Sequence, residues 1–269
     1  MSTDEYPKER TVTTIPQTVR VGDADVRRLG LGTNRLRDTP ANADFLHAAA
    51  RAGVGMVDTA HIYTGGESER TIGAALPASR APLVATKGGY VPGDGRAEVL
   101  RAQIDESLRR LGTETIALYY LHRVDPQTRL ELSLGVLAEY RDTGKIRNVG
   151  ISAVTVDQVE QARKVVPIAA VQNAYNVGDR SHDEVVDYCT VNGIAFVPYH
   201  PLRGQHPQLA TIARVHTATT TQISLAWLLH RSPMILPIPG SLSIDHVREN
   251  LGALDIALSE DEFQTLAAL

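Results

Sequence analysis

The sequence predicts an α/β protein folded as a (β/α)8 TIM barrel, with an N-terminal β-hairpin capping the barrel bottom. Two observations support this fold class. Eight short apolar runs alternate with amphipathic segments along the chain, as expected for parallel strands covered by helices. The length of 269 residues also suits a barrel that forms a single domain.

The hairpin is predicted near the N-terminus. Two short alternating runs flank Gly22-Asp23, a dipeptide typical of tight turns between antiparallel strands. The residues before the hairpin are polar. We therefore expect a flexible tail over residues 1–16 and one barrel domain over residues 17–269.

Each barrel unit is predicted from an apolar run followed by a helical pattern. Leu130, Leu134 and Leu137 recur at i, i+4 and i+7, which places them on one face of a helix. Val156, Val159 and Ala162 form an apolar stripe in a second segment, and Val247, Leu251 and Leu254 form one in a third. The predicted strands are residues 28–33, 55–60, 82–87, 116–122, 146–152, 169–175, 194–200 and 234–240.

Composition favours chemistry on a small molecule. The net charge is −4 and the charges are scattered, so no basic surface for nucleic acid is predicted. No window reaches the roughly 18 apolar residues of a membrane helix, and no apolar leader is visible. The one cysteine, Cys189, excludes an intrachain disulfide, so we expect a cytoplasmic protein. Both a monomer and a small homo-oligomer remain open.

Four polar residues follow three successive predicted strands. Asp58, Lys87 and His122 stand at strand ends, and Tyr63 stands in the loop after the first of these strands. The carboxyl ends of barrel strands and their loops build active sites. Because the three strands are neighbours in the chain, the four side chains are expected to converge.

Such a cluster suits general acid catalysis. The ammonium of Lys87 is expected to favour the phenolate of Tyr63 and to lower the pKa of that phenol. Asp58 would neutralise Lys87, and His122 would hydrogen-bond a substrate oxygen, so that a proton reaches a developing alkoxide. Taken singly, the four residues also fit a turn cap, a loop aromatic, a surface ion pair and a core histidine.

Two other kinds of site are not supported. Gly30-Leu31-Gly32 lacks the third glycine of a dinucleotide fingerprint, because Arg35 occupies that position. The histidines show no H-x-H or H-E-x-x-H spacing, and His61 near Asp58 lacks a third ligand. No metal site is therefore predicted, and a metal-dependent hydrolase stays a minor alternative.

The segments VDTAHIY, ATKGG and YYLHRVD contain the four polar residues, and GKIRNVGIS, VQNAYN, VPYHPL and PIPGS follow in order. With these motifs the chain resembles the aldo-keto reductases from about residue 19 onward. It is most similar to short bacterial members, in the branch that includes pyridoxal reductases. The resemblance implies a (β/α)8 barrel that reduces an aldehyde or ketone with a nicotinamide cofactor, and pyridoxal is one candidate substrate.

The resemblance also implies roles for the four residues. Tyr63 would be the proton donor, Lys87 would tune its pKa, Asp58 would pair with Lys87, and His122 would orient the carbonyl. The alternative is a regulatory subunit of the same fold that binds nucleotide with little turnover.

NADPH is the implied cofactor, and NADH is the alternative. Ser152 and Gln172 would bind the nicotinamide amide, and Tyr199 would stack on its ring; without the resemblance these residues suit a strand-end cap and core positions. A helix starting near Ile244 would receive phosphate at its N-terminus. The implied contacts are Gly32, Thr33, Asp58, Ser152, Gln172, Tyr199, His200, Pro201, Leu202, Gly204, Pro239, Gly240, Ser241, Ser243, His246, Glu249 and Asn250.

Several positions depart from the family pattern. Ala153 stands where the family usually has asparagine, so one amide contact is expected to be missing. Gly240 and His246 replace a lysine and an arginine that contact the 2′-phosphate of NADP in several branches.

We expect short loops around the site and no C-terminal substrate loop. We therefore expect an open, shallow pocket and easy cofactor exchange. Tyr90, Arg123 and His200 are expected near the pocket rim, although each also suits a solvated loop.

Overall fold

The computed structural model describes residues 15–76, 82–204 and 206–269, and shows a curled parallel sheet with helices packed against it. Residues 1–14 of the predicted tail lie outside the described parts. The strands are β1 (Thr18–Val21), β2 (Ala24–Arg27), β3 (Leu31–Gly32), β4 (Met56–Asp58), β5 (Leu83–Gly88), β6 (Ile116–Leu121), β7 (Ile146–Ser152), β8 (Ile168–Gln172) and β9 (Ala195–Phe196).

The helices follow the strands in alternation. Short 3₁₀ turns cover Tyr63–Gly66 and Gly252–Asp255. The α-helices are α1 (Pro40–Ala52), α2 (Glu67–Ala75), α3 (Ala97–Leu111), α4 (Leu130–Asp142), α5 (Val156–Arg163), α6 (Asp183–Asn192), α7 (Pro207–Val215), α8 (Thr220–Arg231), α9 (Ile244–Leu251) and α10 (Glu260–Ala267).

The main sheet has seven parallel strands in the order of the chain, from β3 to β9. Every strand therefore pairs with the next one along the sequence, and helices connect them. A second, two-stranded sheet joins β1 and β2 in antiparallel register, with Val21 opposite Ala24. The turn between them is Gly22-Asp23, as predicted, and Gly22 has a φ of +59°, a conformation that glycine adopts easily.

The eighth predicted strand, residues 234–240, does not form a regular strand and makes only single-residue bridges. On one side the Phe196 amide of β9 donates to the Met234 carbonyl at 2.9 Å. On the other side the carbonyl of Pro237 accepts from the Gly30 amide at 2.9 Å, and the carbonyl of Pro239 accepts from the Gly32 amide of β3 at 3.1 Å. The physical reason for the difference is that proline has no N–H to donate to a ladder.

The core has two layers, because successive strand residues point to opposite faces of the sheet. The outer layer packs the strands against the helices and includes Val57, Tyr119 and Ile151. The inner layer includes Met56, Tyr120 and other alternate residues of the strands. The three valines of the hairpin, Val19, Val21 and Val26, are buried in this inner layer.

Helix boundaries follow local sequence signals. Thr155 caps α5 in a capping box with Gln158, and Thr219 caps α8 in the same way with Gln222. These side chains bind backbone amides that have no partner within the helix. The predicted start of a helix at Ile244 is confirmed, with Ser243 as its N-cap.

The single tryptophan, Trp227 of α8, is fully buried. Its ring stacks on Tyr175 at 5.9 Å and on Phe263 of α10 at 6.0 Å between centroids. The C-terminal helix is thus docked against the body of the protein through an aromatic stack. No helix in the described residues is long and apolar enough to cross a membrane.

Gly150 of β7 provides a test of the inner layer. A methyl group there would lie 2.3 Å from a carbon of the buried Tyr120 ring and 3.0 Å from the Ala170 carbonyl oxygen. We expect Gly150→Ala to lower the free energy of unfolding by about 1–3 kcal/mol through overpacking. Denaturant unfolding followed by circular dichroism measures this change.

Gly135 is the matched control for that substitution. It lies in α4 with no atom within 4 Å of an added methyl, so Gly135→Ala should raise stability by up to about 1 kcal/mol. Equal effects of the two substitutions would contradict the packing described here.

Candidate active site

The four predicted catalytic residues converge at one end of the curled sheet. Asp58 ends β4, Lys87 lies near the end of β5, and His122 follows β6 directly. Tyr63 begins the 3₁₀ turn in the loop after β4. The Lys87 ammonium lies 5.2 Å from the centre of the Tyr63 ring, and the Tyr63 and His122 rings are 5.9 Å apart.

A buried ion pair lies at the base of this cluster. The Lys87 ammonium donates to Asp58 Oδ1 at 2.5 Å and to the Thr59 carbonyl at 2.7 Å. The other carboxylate oxygen of Asp58 accepts from Gln172 Nε2 of β8 at 2.8 Å. Both charged side chains are almost completely buried, so their positions are fixed by pairing and not by solvent.

The structure corrects the expected pKa of Tyr63. Burial of the phenol raises its pKa above the ordinary value, and this effect outweighs the opposing charge of Lys87. The nearby carboxylate of Asp58 also raises the Tyr63 pKa. The sequence showed the neighbouring ammonium but not the burial, so the expectation of a lowered pKa was wrong.

His122 is a neutral imidazole at ordinary pH. Burial lowers its pKa to about 2, and the charges of Lys87 and Arg123 lower it further in the same direction. Its Nδ1 atom is buried without a hydrogen-bond partner among the described residues. The backbone amide of His122 donates to the Gly88 carbonyl at 2.7 Å, which holds the residue beside β5.

A cleft of about 820 Å³ opens above this cluster. It brings together the catalytic candidates and most of the predicted nucleotide contacts. Residues from the sequence predictions that line it are Gly32, Thr33, Asp58, Tyr63, Tyr90, His122, Arg123, Ser152, Gln172, Tyr199, His200, Pro201, Leu202, Pro239 and Gly240. Lys87 lies beneath the lining, bound to Asp58.

Six predicted nucleotide contacts are not part of the cleft lining: Gly204, Ser241, Ser243, His246, Glu249 and Asn250. Four of these, Ser243, His246, Glu249 and Asn250, cap α9 or lie in it. Ser243 caps α9 by accepting from the His246 amide, and Glu249 accepts from the Thr219 hydroxyl at 2.7 Å. The Asn250 side chain is buried with no side-chain hydrogen bond in the described residues, so it keeps donors and acceptors free.

Gly204 lies where two loops of the cleft meet. It has a φ of +87°, and a methyl group on it would lie 2.7 Å from the Gly178 amide nitrogen. Only glycine allows both this backbone angle and this approach. The loops after β8 and β9 are thus in direct backbone contact.

Three non-glycine residues of the cleft lining have unusual backbone angles. Thr64, Ala153 and His200 have φ values of +49°, +56° and +55°, in the left-handed region that costs a non-glycine residue about 1–2 kcal/mol. The Ala153 loop is held by Asn173, whose side chain bonds the Val154 amide and carbonyl at 3.0 and 2.7 Å. Strain of this kind is often stored at functional sites.

A buried network supports the loop that carries Tyr63. Glu69 of α2 is fully buried and accepts from Thr86 of β5 at 2.6 Å and from Arg110 of α3 at 3.2 Å. Arg110 also donates to the carbonyl of His61 at 2.9 Å. Its guanidinium lies against Gly66 at the other end of the loop. The network therefore holds both ends of the loop.

A second tie joins the loops after β5 and β6. Asp125 accepts from the amides of Gly93 and Gly95 at 3.0 Å and from the Thr128 hydroxyl at 2.8 Å. Burial alone would raise the pKa of Asp125, but these hydrogen bonds lower it to about 2. The loop that carries Tyr90 is thereby fixed beside the loop that carries Arg123.

Sequence reasoning missed both supports and some of the cleft lining. The missed lining residues are Asn34, Arg35, Ile62, Thr64, Arg203 and Ile238. Ala153 also lines the cleft, at the position where the sequence predicted a missing amide contact. One signal was available for Glu69, because it stands three residues before Ile72 on the apolar face of α2, where an acid is unusual. No group of three or more possible metal ligands lies together in the parts of the chain that are described.

Arg110 tests the support of the Tyr63 loop. Its side chain is only 10% exposed, and Arg110→Met would leave the Glu69 carboxylate buried without its cation. We expect a loss of about 3–5 kcal/mol in the free energy of unfolding, as for other broken buried pairs. Chemical denaturation gives the measurement.

Arg109 is the matched control, because it is 71% exposed and pairs with Glu106 on the same helix. Arg109→Met should change stability by no more than about 0.5 kcal/mol. A small effect of Arg110→Met, similar to that of Arg109→Met, would show that the buried network does not hold the loop.

Comparison with known proteins agrees with this geometry. The model of the "Aldo/keto reductase family" matches residues 28–208 and 205–269. An uncharacterized oxidoreductase of Schizosaccharomyces pombe is 36% identical over 93% of this chain and 88% of its own. Pyridoxine 4-dehydrogenase of Escherichia coli is 35% identical over 93% and 96%, respectively.

A solved structure of a Klebsiella pneumoniae aldo-keto reductase in complex with NADPH superposes with a TM-score of 0.85. It is 28% identical and covers 95% of both chains. Family motif, sequence relatives and fold thus agree over nearly the whole chain. The chain belongs to the aldo/keto reductase family.

Proposed function

We propose that this protein reduces an aldehyde or ketone to an alcohol with NADPH. The observation that carries the proposal is the convergence of Tyr63, His122 and the buried Lys87–Asp58 pair in one cleft. When bound, NADPH supplies the hydride for the carbonyl carbon. The protein must orient the carbonyl and deliver a proton to its oxygen.

The pKa shifts support Tyr63 as the proton donor. His122, with a pKa lowered to about 2, is almost never protonated at neutral pH and acts as a neutral hydrogen-bond partner of the carbonyl oxygen. Tyr63 has a raised pKa, so it carries its proton at neutral pH. As that proton leaves, the ammonium of Lys87 stabilises the phenolate that forms. Asp58 keeps the ammonium in place.

The chain also offers suitable groups for the nucleotide. Ser152 faces the cleft and makes no side-chain hydrogen bond with the described residues. Gln172 uses its amide nitrogen on Asp58, which leaves its amide oxygen for a carboxamide. Tyr199 lines the same cleft and offers a ring face. The start of α9 and the buried Asn250 provide amide donors for phosphate and adenine.

The preference for NADPH over NADH rests on the family. The Klebsiella pneumoniae relative binds NADPH, which supports the same cofactor here. Gly240 and His246 do not supply the cations that contact the 2′-phosphate in several branches. Arg203 lines the cleft without an ion pair to the described residues and offers a cation for the nucleotide phosphates.

We also propose that residues 234–240 take the place of the eighth strand and close a (β/α)8 barrel. This barrel would form a single domain over residues 17–269. The hydrogen bonds of residues 234–240 to both β9 and β3 support this closure. The hairpin β1–β2 would cap the bottom of the barrel, since its valines are buried in the inner layer.

The proton donor is tested by Tyr63→Phe. We expect kcat for aldehyde reduction to fall by about 10²–10⁴-fold while the Kd of NADPH stays unchanged. Loss of NADPH absorbance gives the rate, and nucleotide fluorescence gives the Kd. Equal, appreciable rates in both proteins would refute the assignment. Negligible turnover of the wild-type protein itself would favour the regulatory alternative.

The pH profile of the unmodified enzyme is the control. The donor is lost as pH rises through the raised pKa of Tyr63, so reduction should persist above neutral pH and fall only above about pH 10. His122 has a pKa of about 2 and should add no limb between about pH 5 and pH 8. A limb near pH 6.5 would contradict a neutral, buried imidazole.

Ala153 offers a gain of binding. Its φ of +56° suits asparagine better than alanine, and the family usually has asparagine there. We expect Ala153→Asn to raise stability by about 0.5–1 kcal/mol and to tighten NADPH binding by about tenfold through an added amide contact. Thermal unfolding and fluorescence titration measure the two effects.

Ala153→Asp is the matched control, because aspartate also accepts left-handed backbone but lacks the amide donor. It should share the stability gain without the tighter NADPH binding. If both variants bind NADPH equally, the nicotinamide amide does not contact this position.

A further inference from the structure

Part of the cleft lining has no role in the nucleotide site proposed above. Ile62, Tyr90 and Arg123 belong to the loops after β4, β5 and β6, the strands that position Asp58, Lys87 and His122. These three residues therefore border the place where the carbonyl group must lie. Their chemistry bears on the substrate and not on the cofactor.

Ile62 and Tyr90, together with Val91, form an exposed apolar surface at the edge of the cleft, here called the apolar lip. Ile62 is 42% exposed, Tyr90 is 37% exposed, and Val91 beside it is 45% exposed. Large apolar side chains that stay exposed beside a cleft are suited to cover an apolar ligand. The lip fits the carbon skeleton or aromatic ring of a substrate.

A cation stands next to this lip. The Arg123 guanidinium carbon lies 4.6 Å from the centre of the Tyr90 ring, and the other neighbour of that ring is His122 at 4.7 Å. One aromatic side chain thus separates the positive charge from the imidazole. After burial and the charge of Lys87, the charge of Arg123 also contributes to the lowered pKa of His122.

Arg123 has no carboxylate partner in the described parts of the chain. Its side chain makes one long hydrogen bond, of 3.4 Å, to the Tyr90 hydroxyl. The tie through Asp125 holds the backbone of both loops, and the guanidinium lies on the Tyr90 ring. An arginine held on an aromatic ring keeps its planar donors free for an oxyanion.

The charge balance of the cleft points the same way. Arg35, Arg123 and Arg203 line it without ion pairs to described residues, and Asp58 is the only carboxylate in the lining. Both oxygens of Asp58 are already bound, by Lys87 and Gln172. The cleft therefore has a positive field that attracts anions.

We propose that the substrate is an aldehyde or ketone with an apolar, ring-sized body and an anionic group that binds Arg123. The carbonyl oxygen lies at Tyr63 and His122, the body lies on Ile62 and Tyr90, and the anion reaches the guanidinium. The anion is a carboxylate or a phosphate. This inference rests on the proposed reductase function.

The test compares 4-carboxybenzaldehyde with methyl 4-formylbenzoate, which has the same ring and aldehyde but no charge. We expect kcat/KM of the wild-type protein to favour the acid by about tenfold, mainly through KM, in line with one charge-assisted hydrogen bond. Arg123→Gln should remove this preference by lowering kcat/KM for the acid about tenfold more than kcat/KM for the ester. Arg123→Lys should retain part of it.

Arg203→Gln is the matched control, because it removes the same charge from the cleft lining near Leu202, on the nucleotide side. It should change the KM of NADPH but not the ratio of acid to ester. The preference for the acid should also weaken as salt is raised, because exposed charges are screened. A comparison with 4-formylphenyl phosphate shows whether carboxylate or phosphate binds better.

Two results would overturn the proposal: no preference for the acid in the wild-type protein, or an equal loss for acid and ester in Arg123→Gln. A failure of the reductase function itself looks different, because then neither aldehyde would consume NADPH. In that case the anion site is tested by binding alone. Calorimetric titration measures the Kd of 4-(hydroxymethyl)benzoate and of 4-methylbenzyl alcohol for the NADP-loaded protein. Carboxylate-selective binding that Arg123→Gln abolishes supports the anion site, and equal binding of the two alcohols refutes it.

Discussion

The buried ion pair between Lys87 and Asp58 is the constraint on which the site depends. Two charges removed from water are tolerable only when each has close partners, and here those partners come from three strands. Lys87 lies on β5, Asp58 lies on β4, and Gln172 of β8 completes the set. The geometry of the site therefore depends on the register of these strands. A shift of one strand along its neighbour would separate the pair and leave a charge buried without a partner.

Burial shifts the pKa values of the two rings above this pair in opposite directions, and both shifts favour the neutral form of the ring. It raises the pKa of the Tyr63 phenol and lowers the pKa of the His122 imidazole, because in both cases the charged form is disfavoured. Both rings are consequently neutral around neutral pH, and the formal charges at the base of the site are confined to the ion pair. Of these two neutral rings, the phenol carries the more acidic proton.

Much of the fold and the site could be predicted from the sequence because the signals are local. Apolar runs marked the strands, and polar residues at their ends marked the site. Residues 234–240 failed as a strand because alternate prolines cannot donate to a ladder. The predicted lowering of the Tyr63 pKa was wrong because the burial of the phenol depends on how the loops assemble. The pairing of Glu69 with Arg110 joins two helices, and no local pattern reports which partner a buried acid will find.

The aromatic stack around Trp227 makes the protein's intrinsic fluorescence a local reporter. The indole lies between Tyr175 and Phe263, so its emission depends on whether the last helix is seated. Trp227 is also the sole tryptophan of the chain. A change in emission that precedes the loss of helical circular dichroism would therefore record the detachment of the C-terminal segment, separately from the melting of the sheet.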